Sequence, residues 1–252
     1  MNELEFEDQF YREHLPRLLR SALFRRVDER KCAFIAGRLA CAGPSILSIG
    51  CGDARKETLL ARHASRIVGV DICGRAVQLA SDRVRCAGLS NVRVFRGDAL
   101  KERFEPGTFD AVLAIGLLHH LTQRESEAIV RRSFTWLRSG GVMVTNDPQR
   151  FRLVGLFRGL YAEACREMKS ATEHDLDVGA TCALFKAAGF ERVVCRYTDF
   201  FLDPFAWLYP GFPSAFIPGL VALDSLLLGL PGLRRLASHF SVVAVKPGAD
   251  GR

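Results

Sequence analysis

A chain of 252 residues with 48% hydrophobic and 25% charged residues has the size and composition of a folded protein with a substantial core, which excludes a disordered tail or a disulfide-stapled miniature. The net charge of +7 attracts acidic partners in general, but the arginines are scattered. Their one dense run, Arg17, Arg20, Arg25, Arg26 and Arg30, alternates with apolar residues and lacks the interleaved aromatic–basic pattern of a nucleic-acid surface, so nucleic acid is not an expected partner.

The acidic start "MNELEFEDQF" has neither the basic flank nor the apolar stretch of a signal peptide, and a cytoplasmic protein is expected. Along the chain, apolar Cys32, Phe34, Ile35 and Leu39 recur at helical spacing over 27–40, before Gly43-Pro44. Strands and helices then alternate: "SILSIG" (strand), "RKETLLARHA" (helix), "RIVGVDI" (strand), "GRAVQLASDRVRCAG" (helix), "VRVFRGDA" and "FDAVLAIG" (strands). A helix "RESEAIVRRSFTWLRSGG", closed by Gly140-Gly141, and a strand "VMVTND" follow. Near-continuously apolar strands in this rhythm make a parallel sheet covered on both faces. Beyond Asp147 an amphipathic helical stretch carries Phe151, Leu153, Leu156, Phe157, Leu160 and Tyr161. A helix "ATCALFKAAGF" and strands "ERVVCRYTDF" and "HFSVVAVKPG" complete the chain, the two strands separated by an apolar segment over 200–237. Its longest apolar region, 212–233, is interrupted by Pro213, Pro218, Asp224 and Pro231, so it does not read as a spanning helix. The eight cysteines show no C-x-x-C pair or metal-ligand spacing and read as reduced core thiols.

Ligands of such sheets bind beyond the carboxyl ends of the strands. Gly50 and Gly52, flanking Cys51, stand at the end of the first strand, just before a helix. A dinucleotide fingerprint would need a third glycine where Arg55 stands. Asp71, followed by Ile72, ends the second strand as an acceptor for two ribose hydroxyls; Asp98, followed by Ala99, ends the third and can accept an exocyclic amine. Ile115 and Gly116 leave the fourth strand into His119 and His120. Together these strand ends describe an adenosine site without a second nucleotide.

On these residues the chain resembles the class I S-adenosylmethionine-dependent methyltransferases, especially the small-molecule branch with a "LHHL"-type segment. The resemblance implies a doubly wound, seven-stranded, mostly parallel α/β sheet with an antiparallel last strand and a helical cap, and S-adenosylmethionine as cofactor. It implies one domain over 1–252, with a cofactor core of about 44–147, 178–199 and 238–247 and a cap from 1–43, 148–177 and 200–237. Gly50 and Gly52 match the glycines that approach the methionine moiety, Ala54 the third glycine place, Asp71 the ribose acid, Asp98 and Ala99 the adenine contacts, and Ile115 and Gly116 the strand that passes the cofactor. Ser48 stands where the family carries an acid supporting the methionyl ammonium. Glu57 either substitutes for that acid or is a solvated helix residue.

The apolar segment with Phe200, Phe201, Phe205, Trp207, Tyr209, Phe212 and Phe216 points to a hydrophobic small-molecule acceptor, with O-methylation favoured, and to a peripheral membrane contact through "LLLGLPGL" and "FPSAFIPGL". His120, then His119, are the base candidates, with His174 and Tyr197 behind them. No metal is expected, because only Asn146-Asp147 offers ligands after strands four and five. An NAD(P)-dependent oxidoreductase and a non-catalytic S-adenosylmethionine-binding partner are the competing readings.

Overall fold

The short apolar strands bury side chains toward both faces, and the sheet they build is covered on each. In the computed structural model, which describes residues 3–39, 41–153, 170 and 172–248, β1 (Ser45–Ile49) lies between β2 (Arg66–Asp71) and β4 (Phe109–Ile115). β3 (Val92–Arg96) flanks β2, and β5 (Leu137–Pro148) flanks β4. With β6 (Arg192–Thr198) and β7 (His239–Val245) the order is β3-β2-β1-β4-β5-β7-β6, and β7 runs antiparallel to both neighbours. This is the seven-stranded sheet that the resemblance implies. Strand order reverses between β1 and β4, so a crevice opens at their carboxyl ends.

Alternation along β1 sends Leu47 and Ile49 into one buried layer with Met143, Phe185 and Phe240. Ile46 enters the other, with Ile35, Leu60, Ile67 and Val144. A third cluster joins the two ends of the chain. Leu18, Leu23, Phe24 and Val27 of α2 (Leu15–Arg20) and α3 (Ala22–Ala36) pack on Leu202, Ala206 and Ile217 of two late helices.

Two helix boundaries differ from the periodicity. The helix expected over 27–40 starts at Ala22, because the Ser21 hydroxyl accepts from the Phe24 amide at 3.2 Å and nucleates the first turn. The helix expected to reach Gly140-Gly141 is α6 (Gln123–Trp136), opened by a reciprocal Thr122–Glu125 capping box. It stops at Trp136 because Leu137 already pairs with Phe109 as the first residue of β5. Of the amphipathic stretch after Asp147, Leu156, Phe157, Leu160 and Tyr161 lie outside the described residues. The segment over 200–237 forms α8 (Leu202–Leu208) and α9 (Ile217–Gly229), following α7 (Val178–Ala187) and β6. Cys32, Cys51 and Cys73 are buried thiols, whereas Cys86 is exposed and not a core residue.

Candidate active site

β1 ends at Ile49 and the chain turns at once. Gly50 and Gly52 adopt φ of +67° and +57°, the left-handed region that favours glycine. A Cβ at Gly50 would meet Leu117 Cδ1 at 3.0 Å, and one at Gly52 would meet the Tyr11 hydroxyl at 2.6 Å. Cys51 fits between them because its thiol packs where Gly69 has no side chain; a Cβ there would lie 2.9 Å from Cys51 Sγ. Tyr11 comes from α1 (Glu3–Glu13), which reaches over the loop.

The loop is fastened to the end of β2. The Gly52 amide donates to Asp71 Oδ2 at 2.7 Å, and the Cys73 amide to Oδ1 at 2.9 Å. Burial raises the Asp71 carboxyl above its ordinary value, opposed by these two amides and by the nearby His120. Each oxygen keeps a further lone pair for an incoming hydroxyl. Asp98 Oδ1 accepts from the Leu100 amide at 3.0 Å and Asp98 Oδ2 pairs with Lys101 at 3.0 Å; the Ala99 carbonyl accepts from Arg132 Nε at 3.2 Å. Gly116, at φ +72°, donates its amide to the Asn146 carbonyl at 2.8 Å, which fixes how β4 leaves the sheet. Gly50, Cys51 and Gly52, Asp71 and Ile72, Asp98 and Ala99, Ile115 and Gly116, and both His119 and His120 all line one cavity of about 820 Å³. The strand-end residues and the two histidines predicted from sequence thus share one cavity.

Glu57 is not a solvated residue. It is 2% exposed on α4 (Arg55–Leu60), and Oε1 accepts from the Ser48 hydroxyl at 2.6 Å. Its Oε2 is buried with no hydrogen-bond partner, and burial raises its carboxyl above the ordinary value. Position 48 thus regains a carboxylate at one remove. Arg55 is held aside from the turn by Asp53 at 3.1 Å and Asp28 at 3.4 Å, with its guanidinium 4.4 Å from the Phe24 ring centroid.

The two histidines occupy a single 3₁₀ turn, Leu118–His120, with ring centroids 4.2 Å apart. Their surroundings differ. His119 Nδ1 lies 2.9 Å from Asp147 Oδ1, and the same oxygen accepts from the His119 amide at 3.3 Å. Asp147 is only 1% exposed, so its side chain is a fixed buried partner for the ring. His120 lies near Asp71. The His174 amide donates to the His119 carbonyl at 3.0 Å, and His174 also lines the cavity, whereas Tyr197 is not among its lining residues.

Several lining residues escaped the sequence reading. Phe10, Tyr11 and Phe24 form apolar wall together with Trp207, which alone among the seven predicted cap aromatics reaches the cavity. A charged group joins them: Asp203 receives Lys31 at 2.8 Å on one oxygen and His239 Nε2 at 3.0 Å on the other. No local spacing signals such partners, since they lie on separate elements. Among the described residues, no cluster of three or more His, Cys, Asp or Glu could hold a metal ion.

A doubly wound sheet with a cavity at its switch point, two left-handed glycines on one side and the Asp71 carboxylate on the other, has the geometry of a nucleoside-cofactor domain. These features support a class I S-adenosylmethionine-dependent methyltransferase domain, with S-adenosylmethionine as its cofactor. Residues 46–141 match the methyltransferase-domain family. The chain is similar to a 27-O-demethylrifamycin SV methyltransferase of Amycolatopsis mediterranei, 32% identical over 58% of this chain and 53% of that one. It is also similar to a tRNA (guanine-N(7)-)-methyltransferase of Thermus thermophilus, 35% identical over 49% of this chain and 42% of that one. The chain spans about half the length of these curated relatives. In fold it resembles Haemonchus contortus phosphoethanolamine N-methyltransferase 2 in complex with S-adenosyl-L-methionine, with TM-score 0.61 and 18% identity over 86% of this chain and 52% of that one.

Proposed function

We propose that this protein methylates a hydroxyl group of a hydrophobic small molecule. In this reading Gly50, Cys51 and Gly52 hold the methionine end of the cofactor, Asp71 and Ile72 the ribose, and Asp98 and Ala99 the adenine, beside Ile115 and Gly116. One observation carries the proposal. His119, paired with the buried Asp147, lines the same cavity as the predicted cofactor residues, and aromatic side chains of α1, α3 and α8 form another part of its wall.

Bound S-adenosylmethionine supplies an electrophilic methyl group on a sulfonium. The protein's part is positional and protonic. With its Nδ1 proton donated to Asp147, His119 keeps the lone pair on Nε2, where it can take the hydroxyl proton as the acceptor oxygen bonds to the methyl carbon and the carbon–sulfur bond breaks. Asp147 fixes the tautomer and offsets the imidazolium charge. His120, placed near Asp71, remains a second base candidate.

The test is turnover of labelled methyl groups with a panel of hydroxylated aromatic and polyketide acceptors, and with tRNA as the contrasting acceptor. His119→Gln and Asp147→Asn should each lower turnover about a hundredfold or more while leaving S-adenosylhomocysteine affinity within a factor of a few. Methylation of tRNA alone, or full turnover in both variants, would overturn the reading.

A further inference from the structure

An apolar helix lies exposed beside the cavity wall. α9 is apolar nearly all round, a composition that normally belongs to a helix covered on every side. Here only part of it is covered. Ile217 joins the cluster that contains α8 residues Leu202 and Ala206, and Asp224 is buried with Oδ1 accepting from the Phe200 and Phe201 amides at 2.8 and 2.9 Å. The other side presents Leu223 and Leu226, and the surface continues through Phe216, Leu230, Leu233 and Leu236, with Phe216 67% and Leu226 63% exposed. Between 204 and 236 the only acidic residue is the inward-turned Asp224, while Arg234 and Arg235 stand exposed within the apolar run. No described helix is long and apolar enough to cross a membrane.

We infer that this face docks on an anionic phospholipid bilayer, with the apolar side chains in the interface and Arg234 and Arg235 on lipid phosphates. Apolar surface combined with cationic charge and no exposed acid is the chemistry such a surface recognises. A second copy fits less well, because a two-fold interface would bring the same patch to itself and offer the paired arginines no carboxylate. The location adds a purpose. α8 packs against α9 and carries Trp207 and Leu208 into the cavity wall, so docking brings the acceptor side of the site to the bilayer. This deepens the reading of a hydrophobic acceptor, yet its test needs no acceptor.

The purified protein is sedimented with vesicles of phosphatidylcholine alone and of equal parts phosphatidylcholine and phosphatidylglycerol. Binding should favour the anionic vesicles and weaken with salt. Leu226→Gln/Leu230→Gln should weaken it roughly tenfold or more. Arg234→Ala/Arg235→Ala should abolish the preference for phosphatidylglycerol while retaining some apolar binding. A melting-temperature rise with S-adenosylhomocysteine, equal to the parent's, certifies each variant as folded; if the leucine pair lacks it, the arginine pair decides. Equal, negligible sedimentation with both vesicle types overturns the inference. So does a parent dimer in light scattering that the leucine variant dissolves, since a second copy would then cover the face. Either result leaves the methyl-transfer reading to its own assay.

Discussion

Glu57 is buried against the Ser48 hydroxyl, and the arrangement has a thermodynamic signature. Burial raises its carboxyl above the ordinary 4.5, so the folded state holds the proton more tightly than the unfolded chain does. Its contribution to stability is therefore largest below that ordinary value and declines as pH rises through the raised folded value. Glu57→Gln keeps an acceptor for Ser48 and removes the buried charge. Its melting temperature at pH 8 should equal or exceed the parent's; if Glu57 supports the methionyl ammonium through Ser48, affinity for S-adenosylmethionine should fall roughly tenfold. A lower melting temperature with unchanged affinity would make Glu57 a structural partner of Ser48 only. Asp71 carries a different load, because the Gly52 and Cys73 amides already rest on it. Asp71→Ala should cost about 1.5–3 kcal/mol in cofactor affinity for each charged hydrogen bond lost to the ribose. Calorimetry with S-adenosylhomocysteine measures it, and parent-like affinity would remove Asp71 from the site.

At the scale of elements, α1 is the part that local pattern least announced, and its Tyr11 lies on the Gly50–Gly52 loop. Gly52→Ala would thrust a methyl group onto the Tyr11 hydroxyl while forcing a left-handed backbone worth about 1–2 kcal/mol by itself. In a Tyr11→Phe background the hydroxyl is gone and the next ring atom, at 3.7 Å, is an ordinary contact. The cost of Gly52→Ala, measured by urea unfolding, should therefore shrink toward the backbone strain alone. An identical cost in both backgrounds would mean that α1 does not rest on the loop in solution. This contrast also explains what was legible beforehand. Gly50, Gly52, Asp71 and Asp98 could be placed together at one cavity because a strand's end is marked by its own apolar run and these residues follow within a residue or two. The Asp147 partner of His119 and the Asp203 partner of Lys31 and His239 could not, because sheet order and helix docking, rather than spacing, bring them together. The false helix extension to Gly140-Gly141 arose for the same reason: Leu137 belongs to β5 through its pairing with Phe109, a contact outside any local window. Glu57 was ambiguous because a charged residue on a short helix has the same local signature whether it faces solvent or a serine.

At the scale of the whole molecule, Lys31 of α3, Asp203 of α8 and His239 of β7 tie both ends of the chain to the edge of the cavity. Burial by itself would raise Asp203, but Lys31 and His239 together hold its carboxyl well below the ordinary value of 3.8. Lys31 shows the reciprocal effect: burial opposes its charge, yet Asp203 and Asp199 hold its ammonium above the ordinary 10.5. The Asp203 contribution is complete above its ordinary value and is lost as pH falls through the lowered folded one. That of Lys31 is complete below 10.5 and is lost as pH rises through its raised value. Between those limits Lys31 and Asp203 are both charged, so removing one of the two leaves a buried ion without that partner. Asp203→Asn should destabilise the fold by about 3–5 kcal/mol near neutral pH, whereas Lys31→Met/Asp203→Leu should recover much of that loss by replacing the pair with apolar volume. Urea midpoints at pH 7 for the parent, the single variant and the double variant decide it. If Asp203→Asn unfolds at the parent's midpoint, the charges are not what joins the ends. The double variant carries a second readout, because the same three side chains line the cavity. Restored stability with unaltered S-adenosylhomocysteine affinity but weakened acceptor turnover would separate the network's hold on the fold from its part in the acceptor wall.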